Sequence, residues 1–216
     1  YLSAYPEAGK LLDLPALDLQ PFEPGALVFD GKKLHRVMDV FRRPASLFSS
    51  ALAPIGSLAD KIRVALLRFK ILSGPSTTPD QSTADFLSGF GFSPRMIDTF
   101  FRSFYGGIFL ENELSTSSKM FEFTFRMFSQ GSATLPSAGM QAIPQQLADR
   151  LPPESIRLHS PVSAITGKSV TLASGEIING SEIVLATDSQ QAAKILPSFE
   201  KSVPAWRSVT NLYFAA

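Results

Sequence analysis

The spacing of apolar residues changes once along the chain, and this change limits the possible folds more than any other feature. From about residue 5 to residue 151 the longer apolar patterns repeat every three or four residues, as in helices that bury one face. From Ile156 onward, short runs of β-branched residues lie between turn-forming residues, as in strands. The sequence therefore predicts an α+β fold, with a mainly helical part followed by a part that contains a small sheet.

The most regular spacing lies between Ser57 and Leu72 and predicts an amphipathic helix. Ser57 and Asp60 have the spacing of a capping box at its start, and Gly74 follows its last apolar residue. The charged residues are expected on the side opposite to the apolar ones. The apolar row, which we call the apolar stripe, consists of Leu58, Ile62, Leu66, Phe69 and Leu72.

Caps and spacing predict three further helices. A short helix is expected at residues 83–88. Ser93-Pro94 supplies an N-cap and a first helical proline for the next helix, and Gly106-Gly107 is expected to end it. The third helix is predicted at residues 140–151, with prolines in its first turn and directly after its end.

Residues 120–128 fit two alternatives. Three phenylalanines in this segment alternate with polar residues, as in a half-buried strand, whereas Glu122 and Arg126 have the i,i+4 spacing of a helical pair. Because the neighbouring elements are helical, we predict a helix.

The predicted strands lie after residue 155 and are separated by turn-forming pairs such as Ser174-Gly175. A continuous apolar run at Ile183–Ala186 is typical of a buried strand, and a short helix is predicted at residues 190–196. A last apolar run at residues 212–216 indicates a further strand. The four shorter strands are predicted at residues 156–158, 162–165, 170–172 and 176–178.

Composition excludes several classes of protein. Without cysteine, the chain has no disulfide framework, thiolate nucleophile or cysteine-ligated metal. No metal site is predicted, because no two histidines have the spacing of metal ligands. A net charge of +1 gives little attraction for nucleic acid, so no nucleic-acid partner is expected. The best candidate for a membrane span, residues 58–72, carries five charged side chains, which argues against a span.

Motifs for phosphate binding are incomplete. Gly167-Lys168-Ser169 resembles the end of a P-loop, but Val162 occupies the position of its first glycine. Gly89-Phe90-Gly91 lacks the third glycine of a dinucleotide fingerprint, and no strand precedes it. We interpret both as turns, and no catalytic residue is assigned.

Aromatic residues are concentrated in one stretch, because eleven of the 18 phenylalanines lie between residues 86 and 128. Two interpretations stay open. The rings form a helical core, since phenylalanine buries well, or some of them line an apolar pocket or a mouth that meets a membrane surface. The candidate pocket residues are Phe101, Tyr105, Phe109 and Phe125.

Several short motifs occur in one order along nearly the whole chain. They are Gly106–Leu110, Leu114–Ser118, Leu135–Met140, Ile143–Ala148, Ile156–Leu158, Val162–Ile165, Val170–Leu172 and Glu182–Thr187. With these residues the chain resembles the flavin-containing amine oxidoreductase superfamily, which includes amine oxidases, protoporphyrinogen oxidases and phytoene desaturases. Tyr5-Pro6-Glu7 and Asp60-Lys61 are similar to members from plants and cyanobacteria. That likeness implies a plastid, or a cyanobacterial cytoplasm or membrane surface.

The resemblance implies a two-domain flavoprotein of which this chain is the middle. Residues 1–134 would form a mainly helical substrate-binding domain, residues 135–206 part of an FAD-binding α/β domain, and residues 207–216 the start of a further, truncated strand. The family's G-x-G-x-x-G phosphate site is then expected before the first residue, and a second glycine motif after the last. The segment alone is expected to bind FAD weakly or not at all.

The resemblance also implies FAD as the cofactor, and hydride transfer from a hydrophobic small molecule to its flavin ring. The substrate would be an isoprenoid, a tetrapyrrole or an amine. The resemblance places Val162, Ala186 and Thr187 beside the dinucleotide, with Gly139 and Met140 as further cofactor-binding residues. The alternative is a noncatalytic module that binds an apolar ligand or the surface of a membrane.

Overall fold

The computed structural model describes residues 1–29, 31–46, 53–74, 77, 79–210 and 212. Helices and small antiparallel sheets within these residues confirm the predicted α+β fold. The chain forms two compact units, Tyr1–Asp149 and Arg150–Ala216. The strand predicted at residues 212–216 lies outside the described residues, apart from Leu212. The functional domain boundaries after residues 134 and 206 stay a prediction.

The first unit combines helices with short antiparallel strand pairs. In these pairs β1 lies beside β4, and β2 lies beside β3. A π-helical segment, Ile97–Phe101, joins α4 to α5 without a break, and a 3-10 turn covers Pro44–Ser46. The elements are α1 (Pro6–Leu11), β1 (Leu19–Pro21), β2 (Gly25–Phe29), β3 (Leu34–Met38), α2 (Leu58–Ser73), α3 (Thr83–Gly89), α4 (Pro94–Met96), α5 (Arg102–Phe109), α6 (Ser118–Gln130), β4 (Thr134–Pro136) and α7 (Ala142–Ala148).

The helices predicted in this unit are confirmed, including the helical alternative for residues 120–128, which lie within α6. The predicted charge pair of that segment is replaced by a longer-range contact, because the Arg126 guanidinium donates to the carbonyl oxygen of Gly74. Helix α7 is shorter than predicted and ends at Ala148.

The β2–β3 hairpin lies in the stretch of helical spacing, and the sequence analysis did not predict it. Val28 is buried, whereas its neighbours Leu27 and Phe29 are exposed, so β2 shows the alternation of a strand. Gly31 has a φ of +93°, a conformation that glycine adopts readily in tight turns. The Asp30-Gly31 pair in the sequence is the signal that indicates this hairpin.

Helix α2 has the predicted capping box, in which the Ser57 hydroxyl accepts from the Asp60 backbone N–H and the Asp60 carboxylate accepts from the Ser57 N–H. Its buried face carries Asp60, Leu67 and Ile71. The apolar stripe lies on the other side, where Phe69 is 76% exposed. Spacing alone identifies the helix, but the partners of Asp60 determine which face lies inward.

Asp60 joins the starts of two helices. Its side chain is fully buried and accepts hydrogen bonds from the N–H and hydroxyl of Ser57, both at 2.7 Å, and from the N–H and hydroxyl of Ser93, at 2.8 and 2.7 Å. Ser93 is also the N-cap of α4. Burial acts to raise the pKa of Asp60, but the hydrogen bonds from Ser93 and Ser57 together outweigh it and hold that pKa well below its usual value.

The predicted helix end at Gly106-Gly107 is wrong. Helix α5 continues to Phe109 and ends at Leu110, which has a left-handed φ of 52°. A Cβ atom on Gly106 would lie 2.9 Å from the carbonyl oxygen of Glu111. Glycine at this position therefore lets the chain fold back against its own helix, a packing requirement that spacing does not reveal.

The second unit contains a three-stranded antiparallel sheet in the order β5-β6-β7. Its strands confirm the predictions at residues 162–165, 170–172 and 176–178, and α8 confirms the helix predicted at residues 190–196. A 3-10 helix, Pro197–Ser202, follows. The elements are β5 (Val162–Thr166), β6 (Ser169–Leu172), β7 (Ile177–Asn179) and α8 (Ser189–Ile195).

Two predicted strands of this unit are wrong. Residues 156–158 lie between Glu154 and His159, which both have positive φ and therefore turn the chain. Ile183–Ala186 lies outside any helix or strand, no strand among the described residues pairs with it, and Val184 is 86% exposed. An apolar run forms a strand only where a neighbour accepts and donates its backbone hydrogen bonds.

We expect Asp60→Asn to lower the free energy of unfolding by about 3 kcal/mol, because an amide N–H would face donors that now bind a carboxylate. Urea denaturation measures this difference. Asp85→Asn is the matched control, since Asp85 accepts from the Ser82 hydroxyl in an exposed helix cap. Asp85→Asn should lower the free energy of unfolding by less than about 1 kcal/mol. Equal losses would contradict the role given to Asp60.

The stability supplied by Asp60 should also depend on pH. Because the folded state lowers its pKa, the contribution is complete above about pH 4, the ordinary aspartate value, and declines as the pH falls toward the lowered one. Urea midpoints measured between neutral and acidic pH should show a smaller acid-induced loss for Asp60→Asn than for the unaltered protein. Parallel losses would show that Asp60 does not contribute to the acid sensitivity.

Gly106→Ala and Gly107→Ala should have opposite effects on the melting temperature. Alanine at position 107 meets no atom within 4 Å and favours a helix by about 1 kcal/mol over glycine. Alanine at position 106 would push the carbonyl of Glu111 aside, which should lower the melting temperature despite the same gain in helix propensity. Thermal unfolding followed by circular dichroism tests the pair, and equal shifts would contradict the close approach.

Candidate functional site

Most of the aromatic residues between Phe86 and Phe128 form one connected cluster in the core of the first unit. Tyr105 is central to it, with its ring 4.7 Å from that of Phe121 and 5.5 Å from that of Phe109. Phe101 lies 6.0 Å from Phe121 and 4.9 Å from Phe92. The rings meet edge-on or tilted, the arrangements that aromatic quadrupoles favour.

The four candidate pocket residues lie together in this cluster at two depths. Phe101 and Tyr105 are buried in the core, as the core interpretation predicts for them. Phe109 and Phe125 are half-buried and pack on its margin. The structure therefore brings the four residues together. Their role in a substrate pocket stays a prediction.

The buried phenol in the cluster, that of Tyr105, cannot act as a base at ordinary pH. Burial raises the pKa of Tyr105, more than its hydrogen bond with Thr124 lowers it, so the phenol stays neutral. Glu122 on α6 is buried, and its Oε1 atom has no hydrogen-bond partner. The sequence analysis assigned Glu122 only to a helical pair with Arg126, because nothing in the spacing shows that this part of α6 is covered.

The cofactor residues predicted in the first unit lie in the turn between β4 and α7. Gly139 has a φ of +83°, and a Cβ atom there would meet nothing within 4 Å. The backbone conformation therefore favours glycine, and the space beside it is open. Met140 follows and is half exposed, which leaves its side chain accessible to a ligand.

Among the described residues, those predicted in the second unit to bind the cofactor lie at the edge of a sheet or outside any sheet. Val162 begins β5, an edge strand, so alternate N–H and C=O groups of β5 point away from β6. Such groups suit the hydrogen-bonding edge of an adenine ring. Ala186 ends the apolar run described above, and Thr187 follows it directly before Asp188, the N-cap of α8. These features fit a dinucleotide, although the sequence motifs for its diphosphate are incomplete.

The described part of the chain contains neither a candidate metal centre nor a candidate membrane-spanning helix. No cluster of three or more His, Asp or Glu residues there could hold a metal ion. No helix there is long and apolar enough to cross a membrane.

Comparison with known proteins identifies the family. A family model described as flavin containing amine oxidoreductase matches residues 2–216. A comparison with curated proteins gave no match. Members of the matched family contain flavin, which supports FAD as the cofactor and a flavin-dependent oxidoreductase as the kind of enzyme. The chain therefore belongs to the flavin-containing amine oxidoreductase family.

Proposed function

We propose that this chain is part of an enzyme that transfers a hydride from a hydrophobic small molecule to FAD. The observation that carries the proposal is the match to a flavin oxidoreductase family over nearly every residue. The bound flavin supplies the electron acceptor, and the protein binds and orients the two partners. The apolar substrate is supported by the aromatic cluster, which presents phenylalanine rings at its margin.

We assign the cofactor contacts to three segments. The free backbone edge of β5 at Val162 would hydrogen-bond the adenine. The turn at Gly139-Met140 would approach the dinucleotide through its open side. The segment Ala186-Thr187, which lies outside any helix or strand, would pass beside it. Each assignment uses backbone that the described residues leave accessible.

We assign the substrate contact to Phe109 and Phe125. Both are half-buried, so one side of each ring packs on the core and the other is accessible. Phe101 and Tyr105 are covered from solvent and would hold these rings in place rather than touch the substrate. Rings at the margin also exclude water from an apolar ligand.

Phe125→Ala tests this assignment in the complete natural protein. Anaerobic mixing with a linear isoprenoid, a reduced tetrapyrrole or a primary amine should bleach the oxidised flavin band for one of the three. Below saturation, Phe125→Ala should slow that bleaching about tenfold, because part of a buried phenylalanine contact is lost. Phe123→Ala is the control on the same helix, since Phe123 is more exposed and stacks on Tyr5.

Two outcomes would contradict the assignment. Equal rates for Phe125→Ala and Phe123→Ala would remove Phe125 from the substrate contact. Purified natural protein without flavin absorbance would instead favour a noncatalytic module that binds an apolar ligand.

Gly139→Ala tests the cofactor assignment, with Gly175→Ala as a control of nearly the same geometry. The two glycines have φ of +83° and +89°, and neither would place a Cβ within 4 Å of another atom. Both substitutions should therefore cost about 1–2 kcal/mol of stability from the left-handed backbone. Only Gly139→Ala should also weaken FAD binding, by about tenfold, measured as flavin released during dialysis. Equal flavin loss from both variants would overturn the contact.

A further inference from the structure

The apolar stripe of α2 is a large hydrophobic surface that the described residues leave open. Its central members, Ile62, Leu66 and Phe69, are all more than half exposed. Phe41 extends the stripe at one end, where an open groove of about 390 Å³ runs between Phe41, Phe69 and Leu72. Contiguous apolar surface of this kind marks a place where a protein meets a partner or a membrane.

Cations follow both borders of the stripe. At 100° per residue, Lys61 and Arg68 lie along one border, and Arg63 and Lys70 along the other. This arrangement corrects the expectation that the charged residues lie opposite to the stripe. Each of these cations also has a contact within the protein. The Lys61 ammonium donates to the Ala53 carbonyl oxygen, and that of Lys70 lies over the Phe86 and Phe90 rings. Arg63 forms an ion pair with Asp60 at 3.7 Å, and Arg68 forms one with Asp39 at 3.5 Å.

Positive charge is concentrated in the part of the sequence that carries the stripe. Residues 22–74 contain nine of the 20 basic residues and four of the 19 acidic residues. The rest of the chain has more acidic than basic residues. A nearly neutral protein thus carries a basic segment around an exposed apolar helix face.

We propose that the apolar stripe lies on the surface of a bilayer that contains anionic phospholipids. The apolar side chains would enter the boundary between headgroups and acyl chains, while the bordering lysines and arginines would meet lipid phosphates. Helix α2 has 16 residues, about 24 Å of helix, and would lie in the plane of the surface rather than cross it.

The charges favour this occupant over a second copy of the chain. A two-fold contact between two stripes would place the same cations of both copies close to each other, and like charges repel. An anionic lipid surface supplies the opposite charge along both borders at once. The inference uses only α2 and its neighbours, and it does not rest on the proposed hydride transfer.

Vesicle sedimentation of the complete natural protein tests the proposal. Vesicles of phosphatidylcholine with phosphatidylglycerol should bind the protein more tightly than pure phosphatidylcholine vesicles, and added salt should weaken the binding. Phe69→Ser should reduce partitioning about tenfold, because a large apolar contact with the bilayer is lost. Leu158→Ser is the control, since Leu158 is 74% exposed, close to the 76% of Phe69, but lies in the second unit.

Lys70→Glu and Lys168→Glu together test whether vesicle binding depends on the position of a positive charge or only on the net charge. Both make the same change in net charge, but Lys168 lies in the turn between β5 and β6. Only Lys70→Glu should weaken binding to the anionic vesicles by about tenfold. Thermal unfolding without lipid should be the same for Phe69→Ser and the unaltered protein.

Three outcomes would overturn the proposal. The first is no preference for anionic vesicles. The second is a lower melting temperature for Phe69→Ser without lipid, which would show that the stripe is packed inside the complete protein. The third is a Phe69→Ser variant that changes from dimer to monomer in gel filtration, which would assign the stripe to a second copy.

Discussion

The carboxylate of Asp60 fixes the arrangement on which the first unit depends. It accepts four hydrogen bonds from Ser57 and Ser93, and so ties the start of α2 to the start of α4 without exposure to solvent. A buried charge is costly unless it is fully hydrogen-bonded, so this contact permits little variation in how the two helices meet. The aromatic cluster then packs between helices whose starts are fixed. The same contact turns the apolar stripe of α2 outward.

Local signals made much of this architecture predictable. The capping box at Ser57 and the cap at Ser93 depend on residues close in sequence, and the structure has both. The hairpin signal at Asp30-Gly31 was equally local, but the surrounding helical spacing concealed it.

Other features depend on contacts between distant residues, which the spacing of apolar residues in the sequence does not show. The inward face of α2 is set by Ser93, 33 residues from Asp60. Glycine is required at position 106 of α5 because the backbone of Glu111 folds back against the helix there. Ile183–Ala186 has the composition of a buried strand but no partner among the described residues, so composition alone misassigned it. The four candidate pocket residues lie in one cluster at different depths, which only the packing shows, and their role in a pocket stays a prediction.

The functional surfaces proposed here lie at the margins of this framework rather than within it. The accessible rings of Phe109 and Phe125 border the core, and the proposed cofactor segments are a turn, an edge strand and a segment outside any helix or strand. A flavin enzyme needs both a rigid core and accessible margins, because the core orients the reacting groups and the accessible backbone binds the cofactor.

Amide hydrogen exchange of the complete natural protein, with FAD bound and after its removal, most directly tests whether the core and the proposed cofactor segments have these separate roles. The account predicts slow exchange in α5 and α6 in both states, since these helices form the core with or without the cofactor. It predicts that residues 139–140 and 183–187 exchange slowly only when FAD is bound. Exchange in these two segments that is the same with and without FAD would contradict the account.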